Sequence, residues 1–282
     1  MPHATGRNLP LSPARRLVGD LLHFARQVPS VPVQRRMELA DVVAARQAAQ
    51  PRPSWCVIFL KAYAQVAAAR PELRRAYLTF PRPHLYEHPV NVASLAVERQ
   101  VGAEDAVLFA QLRHPESQTL LELDAQLHRF KDQPIATIGA FRRALRLSRW
   151  PAPLRRLMWW LGLNVWGRKR AHYLGTFGLS VYAGLGASSL HPLSPLTTIL
   201  NYGVFAADGS VDVRLVYDHR VLDGAGVARA LRHMEQVLHT DILAELQLLQ
   251  EYPAAQRDGS CYPPNRPTPC EALTRSFPAA RD

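Results

Sequence analysis

The chain has 282 residues, 48% of them hydrophobic and 8% aromatic, and its 34 Lys and Arg against 23 Asp and Glu leave a net charge of +11. That apolar content excludes a globally disordered chain, and the length fits one large domain or two small ones. Three cysteines (Cys56, Cys261 and Cys270) have neither the number nor the spacing of a disulfide framework or a zinc site, so a reducing compartment is expected.

The opening MPHATGRNLPLSPARRL lacks the apolar stretch of a secretory signal. No run reaches the ~20 apolar residues of a membrane span. The expected location is cytoplasmic. Ser12-Pro13 followed by ARRLVGDLLHFARQ reads as a capped helix. VPVQRRMELA alternates as a strand and DVVAARQAA is a short helix. After the PRPS break, WCVIFLKAYAQVAAA reads as a largely buried helix ending near Arg70-Pro71. Between Arg75 and Arg113 the best strands are PVNVASLAVER and DAVLFAQL. SQTLLELDAQLHRFKD is an amphipathic helix, with Ser117 as its expected cap.

The next stretch is unusual. No acidic residue occurs between Asp132 and Asp208, and nine basic residues fall between Arg142 and Arg170. Trp150, Trp159, Trp160 and Trp166 lie among them. Arginine beside Trp and Leu at helical spacing fits three settings. One is a membrane surface, with rings at headgroup depth and cations on anionic phosphates. Another is a docking face for an acidic carrier protein or for CoA phosphates. The third is ordinary core with a solvated face. Arg155, Arg156, Trp159, Trp160 and Trp166 are the candidate contacts. No recognition motif accompanies the charge, so nucleic acid is not an expected partner.

Strands return at GTFGLSVY, SPLTTILNYGVF and VDVRLVYD, followed by a helix from Gly226 to His239 that ILAELQLLQEY either extends or follows. Residues 252–282 form a Pro-rich tail without periodicity, expected to be mobile or draped over the surface. Mixed helices and strands without regular alternation predict an α+β domain over residues 1–251, with helices packed on a mixed sheet.

The sharpest local feature is VYDHRVLDGAGVARAL. A strand delivers Asp218 and His219 to its end, where a side chain can reach a substrate, and Asp223-Gly224 turns the chain into a helix. Asp223 falls where orphan N–H groups and the helix dipole favour a carboxylate. A histidine on spacing alone is more often structural than catalytic.

The segment DHRVLDGAGVARAL resembles the active-site segment of the 2-oxoacid dehydrogenase acyltransferases, the dihydrolipoyl acyltransferase family. That family shares its fold with chloramphenicol acetyltransferase and, more distantly, with condensation domains. LSPARRLVGDLL is similar to its opening Arg-bearing helix, VPVQRRMELADVVAAR to its first strand and short helix, and WCVIFLKAYAQVAAARPEL to its buried helix. VNVASLAVE resembles the following strand, and GTFGLSVYAGLG the TFxxS strand with its Gly-rich turn. The likeness runs in order from Pro10 to His239.

The resemblance implies a two-layer, chloramphenicol acetyltransferase-like α+β domain that forms homotrimers or assemblies of trimers, with the catalytic histidine at the contact between subunits. His219 would be the general base, an imidazole being neutral and basic near pH 7. Ser180 would donate to the oxyanion of the tetrahedral intermediate. Asp223 would pair with an arginine of the opening helix, either Arg15 or Arg16, and Gly224 would let the chain turn without a Cβ. No role for Asp218 is derived. The implied co-substrate is an acyl-CoA or an acyl-carrier thioester; no covalent cofactor and no metal are expected.

Three departures qualify the likeness. No lipoyl domain is evident, since Lys61 and Lys131 both fall in helical patterns. GAEDAVLFAQL stands where the family has a GLVVPV-like strand, and the Trp/Arg segment at 140–170 is longer and more apolar than the usual link. The expectation is a stand-alone acyltransferase with a small or amphiphilic acceptor, lying free or peripherally on the inner membrane surface. Two alternatives stay open: a non-catalytic oligomeric scaffold, and a dehydrogenase-complex acyltransferase that uses another chain's lipoyl domain.

Overall fold

The Ser12 hydroxyl accepts the Arg15 backbone N–H and Pro13 takes the first helical position, so α1 (Pro13–Ala25) starts as its sequence predicts. A computed structural model describes residues 6–102 and 104–250; Cys261, Cys270 and the Pro-rich tail lie outside these residues. Strand β1 (Ser30–Glu38), α2 (Ala40–Ala48) and α3 (Trp55–Ala69) follow. A small hairpin, β2 (Arg75–Leu78) and β3 (His84–Glu87), precedes the long antiparallel pair β4 (Val92–Val101) and β5 (Glu104–Arg113). Helix α4 (Leu120–Asp132) is capped by Thr119, not Ser117: Thr119 and Glu122 satisfy each other's backbone N–H groups in a capping box.

The Trp/Arg segment folds into α5 (Gly139–Ser148), α6 (Ala152–Asn164) and α7 (Gly167–Leu174). Gly175 then turns the chain at φ +92°, where a Cβ would sit 2.9 Å from the Val92 carbonyl, so only glycine fits there. Strands β6 (Phe177–Leu179), β7 (Thr198–Tyr202) and β8 (Ser210–Asp218) lead to α8 (Gly224–Val237), which continues through a π turn at Leu238–Ile242 into α9 (Leu243–Leu248).

Six strands form one mixed sheet in the order β1-β8-β7-β6-β4-β5, parallel at β4-β6 and β6-β7 and antiparallel elsewhere. The α+β expectation holds. One sheet face carries Met37, Val213, Leu215, Leu200, Leu179 and Leu95, all buried. Helix α3, apolar nearly all round, packs on this face: Phe59 stacks on Tyr202, Tyr63 meets Phe177 edge-on, and the Tyr63 hydroxyl donates to Thr198 at 2.8 Å. Lys61, also buried, is neutralised by Glu245 of α9.

On the opposite face, α1, α5, α6 and α7 cover the β6-β4-β5 half. The brace between α1 and α6 is a buried ion pair: Arg155 Nε and Nη2 donate to Asp20 at 2.6 and 3.2 Å. Phe24 stacks on Trp159 with ring centroids 6.1 Å apart. Arg155 and Trp159, expected as surface contacts, are therefore core residues. The reason is Asp20, which sits on the buried side of α1 and draws the guanidinium inward. The outward side of this layer keeps Trp150, Leu154, Leu157 and Trp160 exposed, along with Arg156. Trp166 is half-buried. Among the described residues no helix is long and apolar enough to cross a membrane.

Candidate active site

Strand β8 ends at Asp218, and the chain leaves the sheet through His219. The Asp218 backbone N–H donates to the Thr197 carbonyl and that of His219 to the Pro29 carbonyl, so both neighbouring segments hold the residue before the turn. Asp218 is buried, and its carboxylate accepts three bonds from Arg220: the backbone N–H at 3.0 Å, Nε at 2.9 Å and Nη2 at 2.7 Å. The Arg220 guanidinium also lies 4.4 Å over the Tyr77 ring. His219 thus projects from a backbone clasped on both sides, with about half of its side chain open to solvent.

A second arginine supports this corner from α7. Arg170 is buried and donates to the carbonyls of Tyr77, Leu163 and Pro195 at 2.8–3.1 Å. Burial pulls its guanidinium down to about 10; Asp218 opposes that shift and Arg220 adds to it.

Asp223 occupies the N-cap position of α8 without a side-chain capping bond, and its carboxylate is exposed, 3.9 Å from His219 Nδ1. Within one chain the expected pairing with the opening helix is not made. Arg15 pairs with Glu104 of β5, and Arg16 Nε donates to the Leu11 carbonyl. Helix α1 lies over the β5 edge, several strands from β8, and neither side chain reaches the Asp223 of its own chain. Gly224 has no positive φ; its constraint is room, since a Cβ would approach the Tyr217 hydroxyl to 3.3 Å.

Ser180 follows β6. Its backbone N–H donates to the Leu200 carbonyl, and its own carbonyl accepts from Asn201 Nδ2 at 2.5 Å. Its hydroxyl has no hydrogen-bond partner among the described residues. Within one chain Ser180 and His219 are apart. They flank β7 at levels about five residues apart, which at ~3.3 Å per residue and two strand spacings of ~4.8 Å separates their backbones by roughly 19 Å.

Ser180 lines a cavity of about 870 Å³ between the sheet and α1, α5, α6 and α7. Its floor includes Ser94, Ala96, Phe109 and Gly178, and its walls include Leu17, Leu21, Leu147, Trp159 and Leu174. Arg15, Arg143 and Lys169, exposed residues, lie along its margin. Among the described residues no group of three or more His, Cys, Asp or Glu is placed to hold a metal ion.

Sequence reasoning located His219, Ser180 and the capping position of Asp223. It missed the Asp218–Arg220 clasp, the Arg170 brace and the cavity. The clasp had a signal: an acid and an arginine flank the histidine directly.

Comparison with known proteins gives the architecture. No protein-family model and no curated protein sequence matches the chain. Among solved structures, dihydrolipoamide acetyltransferase from Azotobacter vinelandii, studied for the role of a serine, a histidine and an asparagine in its catalytic mechanism, aligns with a TM-score of 0.65 at 19% identity over 86% of this chain and 95% of that one. The cubic core of the pyruvate dehydrogenase multienzyme complex aligns with a TM-score of 0.61 at 20% identity, covering 86% and 95% of the two chains. A truncated catalytic core of the 2-oxoacid dehydrogenase complex from Thermoplasma acidophilum gives 0.59 at 16% identity, covering 83% and 99%. The chain has the fold of these catalytic domains, the chloramphenicol acetyltransferase-like architecture.

Proposed function

We propose that the chain is a thioester-dependent acyltransferase, moving an acyl group from CoA or a carrier protein to a small or amphiphilic acceptor at a site completed by two subunits. The observation that carries this reading is the placement of two groups at opposite ends of the strands on either side of β7: the half-open imidazole of His219 and the unbonded hydroxyl of Ser180. Such a base and donor, roughly 19 Å apart in one chain, serve one reaction only when a second copy supplies the missing half. The loop after Ser180 supports a covering subunit, since Tyr182, Leu185, Leu190 and Leu193 are exposed on it. The trimer implied by the family resemblance is the assembly proposed.

In this site the His219 imidazole takes the proton of an acceptor thiol, hydroxyl or amine as that atom bonds to the thioester carbonyl carbon. Ser180 of the partner subunit donates to the oxyanion. Collapse breaks the carbon–sulfur bond, and the imidazolium returns its proton to the departing thiolate. Arg143 and Lys169, with no ion-pair partner among the described residues, offer cations at the cavity margin for the phosphates of CoA or of a carrier's phosphopantetheine. Peripheral binding to an anionic membrane belongs to the same proposal, carried by exposed Leu154, Leu157 and Trp160 beside Arg156.

Release of free thiol from an acyl-CoA or acyl-carrier donor tests the reading. Activity should vanish in His219→Ala; wild-type protein no better than that variant with every donor would leave a non-catalytic scaffold. One further reading has an observation in its favour, because the aligned structures are dihydrolipoamide acetyltransferase and dehydrogenase-complex cores. Strong transfer to free dihydrolipoamide, with co-purification of a decarboxylase, would select a dehydrogenase-complex acyltransferase served by another chain's lipoyl domain.

A further inference from the structure

We infer that the cavity beneath α1, α5, α6 and α7 binds a long fatty acyl chain, its carboxyl end at Ser180 and its hydrocarbon running over β4 and β5; this assignment rests on the acyl-transfer reading. Three features point to it. The volume, about 870 Å³, is near the top of the range for ligand pockets and far exceeds what an acetyl group needs. The lining is dominated by hydrocarbon and aromatic surface, and the few polar groups deep in it are engaged or small: Gln111 Nε2 donates to the Phe109 carbonyl, and Ser94 is buried. The carboxylates in the lining, Glu98 and Asp105, are exposed and lie at the hairpin end of β4 and β5, away from Ser94 and Gly178 beside Ser180. The reactive hydroxyl stands on the cavity wall, so a chain lodged there presents its thioester carbonyl to the group proposed to polarise it.

The wall that creates this space is the Trp/Arg segment. Helix α6 presents Gly162 to the cavity, and a Cβ built there meets nothing within 4 Å. A bulky residue at this point of the helix fits the backbone and occupies ligand space instead of clashing. The cations at the margin, Arg143 and Lys169, then lie where the polar end of an amphiphile emerges toward solvent.

The test is direct binding of the fluorescent fatty acid cis-parinarate to the full chain, with displacement by palmitate, laurate, octanoate and acetate. Palmitate should displace the probe best and acetate not at all, affinity rising up to about fourfold per methylene buried. Gly162→Phe should weaken palmitate at least about tenfold while its thermal melt stays near wild type, and Ala144→Leu on α5 should weaken it less. Failure of palmitate to displace the probe would overturn the assignment, as would displacement indifferent to both substitutions, which marks adsorption on exposed apolar surface. Binding that responds to Gly162→Phe in a protein silent in every thiol-release assay would uphold the chain site and overturn the enzymatic reading. With activity present, palmitoyl-CoA against palmitoyl-carrier protein distinguishes the two donors.

Discussion

Asp218 and Arg220 grip each other around His219: the buried carboxylate holds the guanidinium through Nε and Nη2 at 2.9 and 2.7 Å and also caps the Arg220 backbone N–H. The histidine is the residue between them, so its backbone has little freedom to re-aim the ring. Charge-assisted pairs of this kind are short and directional. Asp218→Asn keeps the shape and loses the charge. The expected result is a fall in kcat of about ten- to a hundredfold with KM nearly unchanged, because displacement of a reacting group by about 1 Å costs of this order. Steady-state thiol release measures it, and Arg220→Lys should do no better, since a point charge cannot reproduce the fork.

The Asp20–Arg155 pair makes a stability prediction. Both side chains are at most 10% exposed, so removing one leaves the other charged and buried. Asp20→Ala should lose about 3–5 kcal/mol in urea unfolding, while Asp20→Leu combined with Arg155→Met should recover most of that loss.

His88 sets an acid limit. Its ring is 2% exposed and its Nδ1 has no partner; burial, with Arg170 and Arg74 adding to it, pulls the imidazole down to about 4. The folded state therefore binds fewer protons than the unfolded chain, where a histidine titrates near 6.5. Stability is fully present above pH ~6.5 and falls as pH drops toward about 4, by about 3 kcal/mol across that window. Urea midpoints against pH should fall in this window for the wild type and flatten in His88→Phe.

Membrane association is testable on the exposed side of α6. Sedimentation with anionic vesicles should retain the wild type at low salt and release it as salt rises. Leu157→Ser with Trp160→Ser should abolish retention without unfolding the chain. Trp159→Ala should instead destabilise it, because that ring is buried against Phe24.

The Trp/Arg segment is also where sequence and structure diverge most. Its pattern gave helices correctly but not their orientation, because Arg and Trp suit a headgroup layer and a braced core equally well. The deciding information was remote: Asp20, on the apolar face of α1 four residues before Phe24, required a buried cation, and α6 supplied Arg155. By contrast β8, Asp218, His219 and α8 were legible because strand, turn and cap are local features. The Asp223–Arg pairing is absent within one chain for the same reason that the core side of α6 could not be told from its exposed side. Side-chain pairing across a sheet depends on strand order, and the order β1-β8-β7-β6-β4-β5 cannot be read from local periodicity. The β2-β3 hairpin was passed over because Pro81 and Pro83 interrupt it.

The most direct test of a two-subunit site is complementation between two dead proteins. His219→Ala and Ser180→Ala, each expected to lose at least about a hundredfold in thiol release, are expressed together so that mixed oligomers form. An interface that takes its imidazole from one variant and its hydroxyl from the other is intact, and random assembly makes about a quarter of interfaces so. The account predicts recovery of about a quarter of wild-type activity in the co-expressed sample and none when the purified variants are assayed singly. Co-assembled variants that stay as inactive as either alone, beside an active wild type, would contradict it.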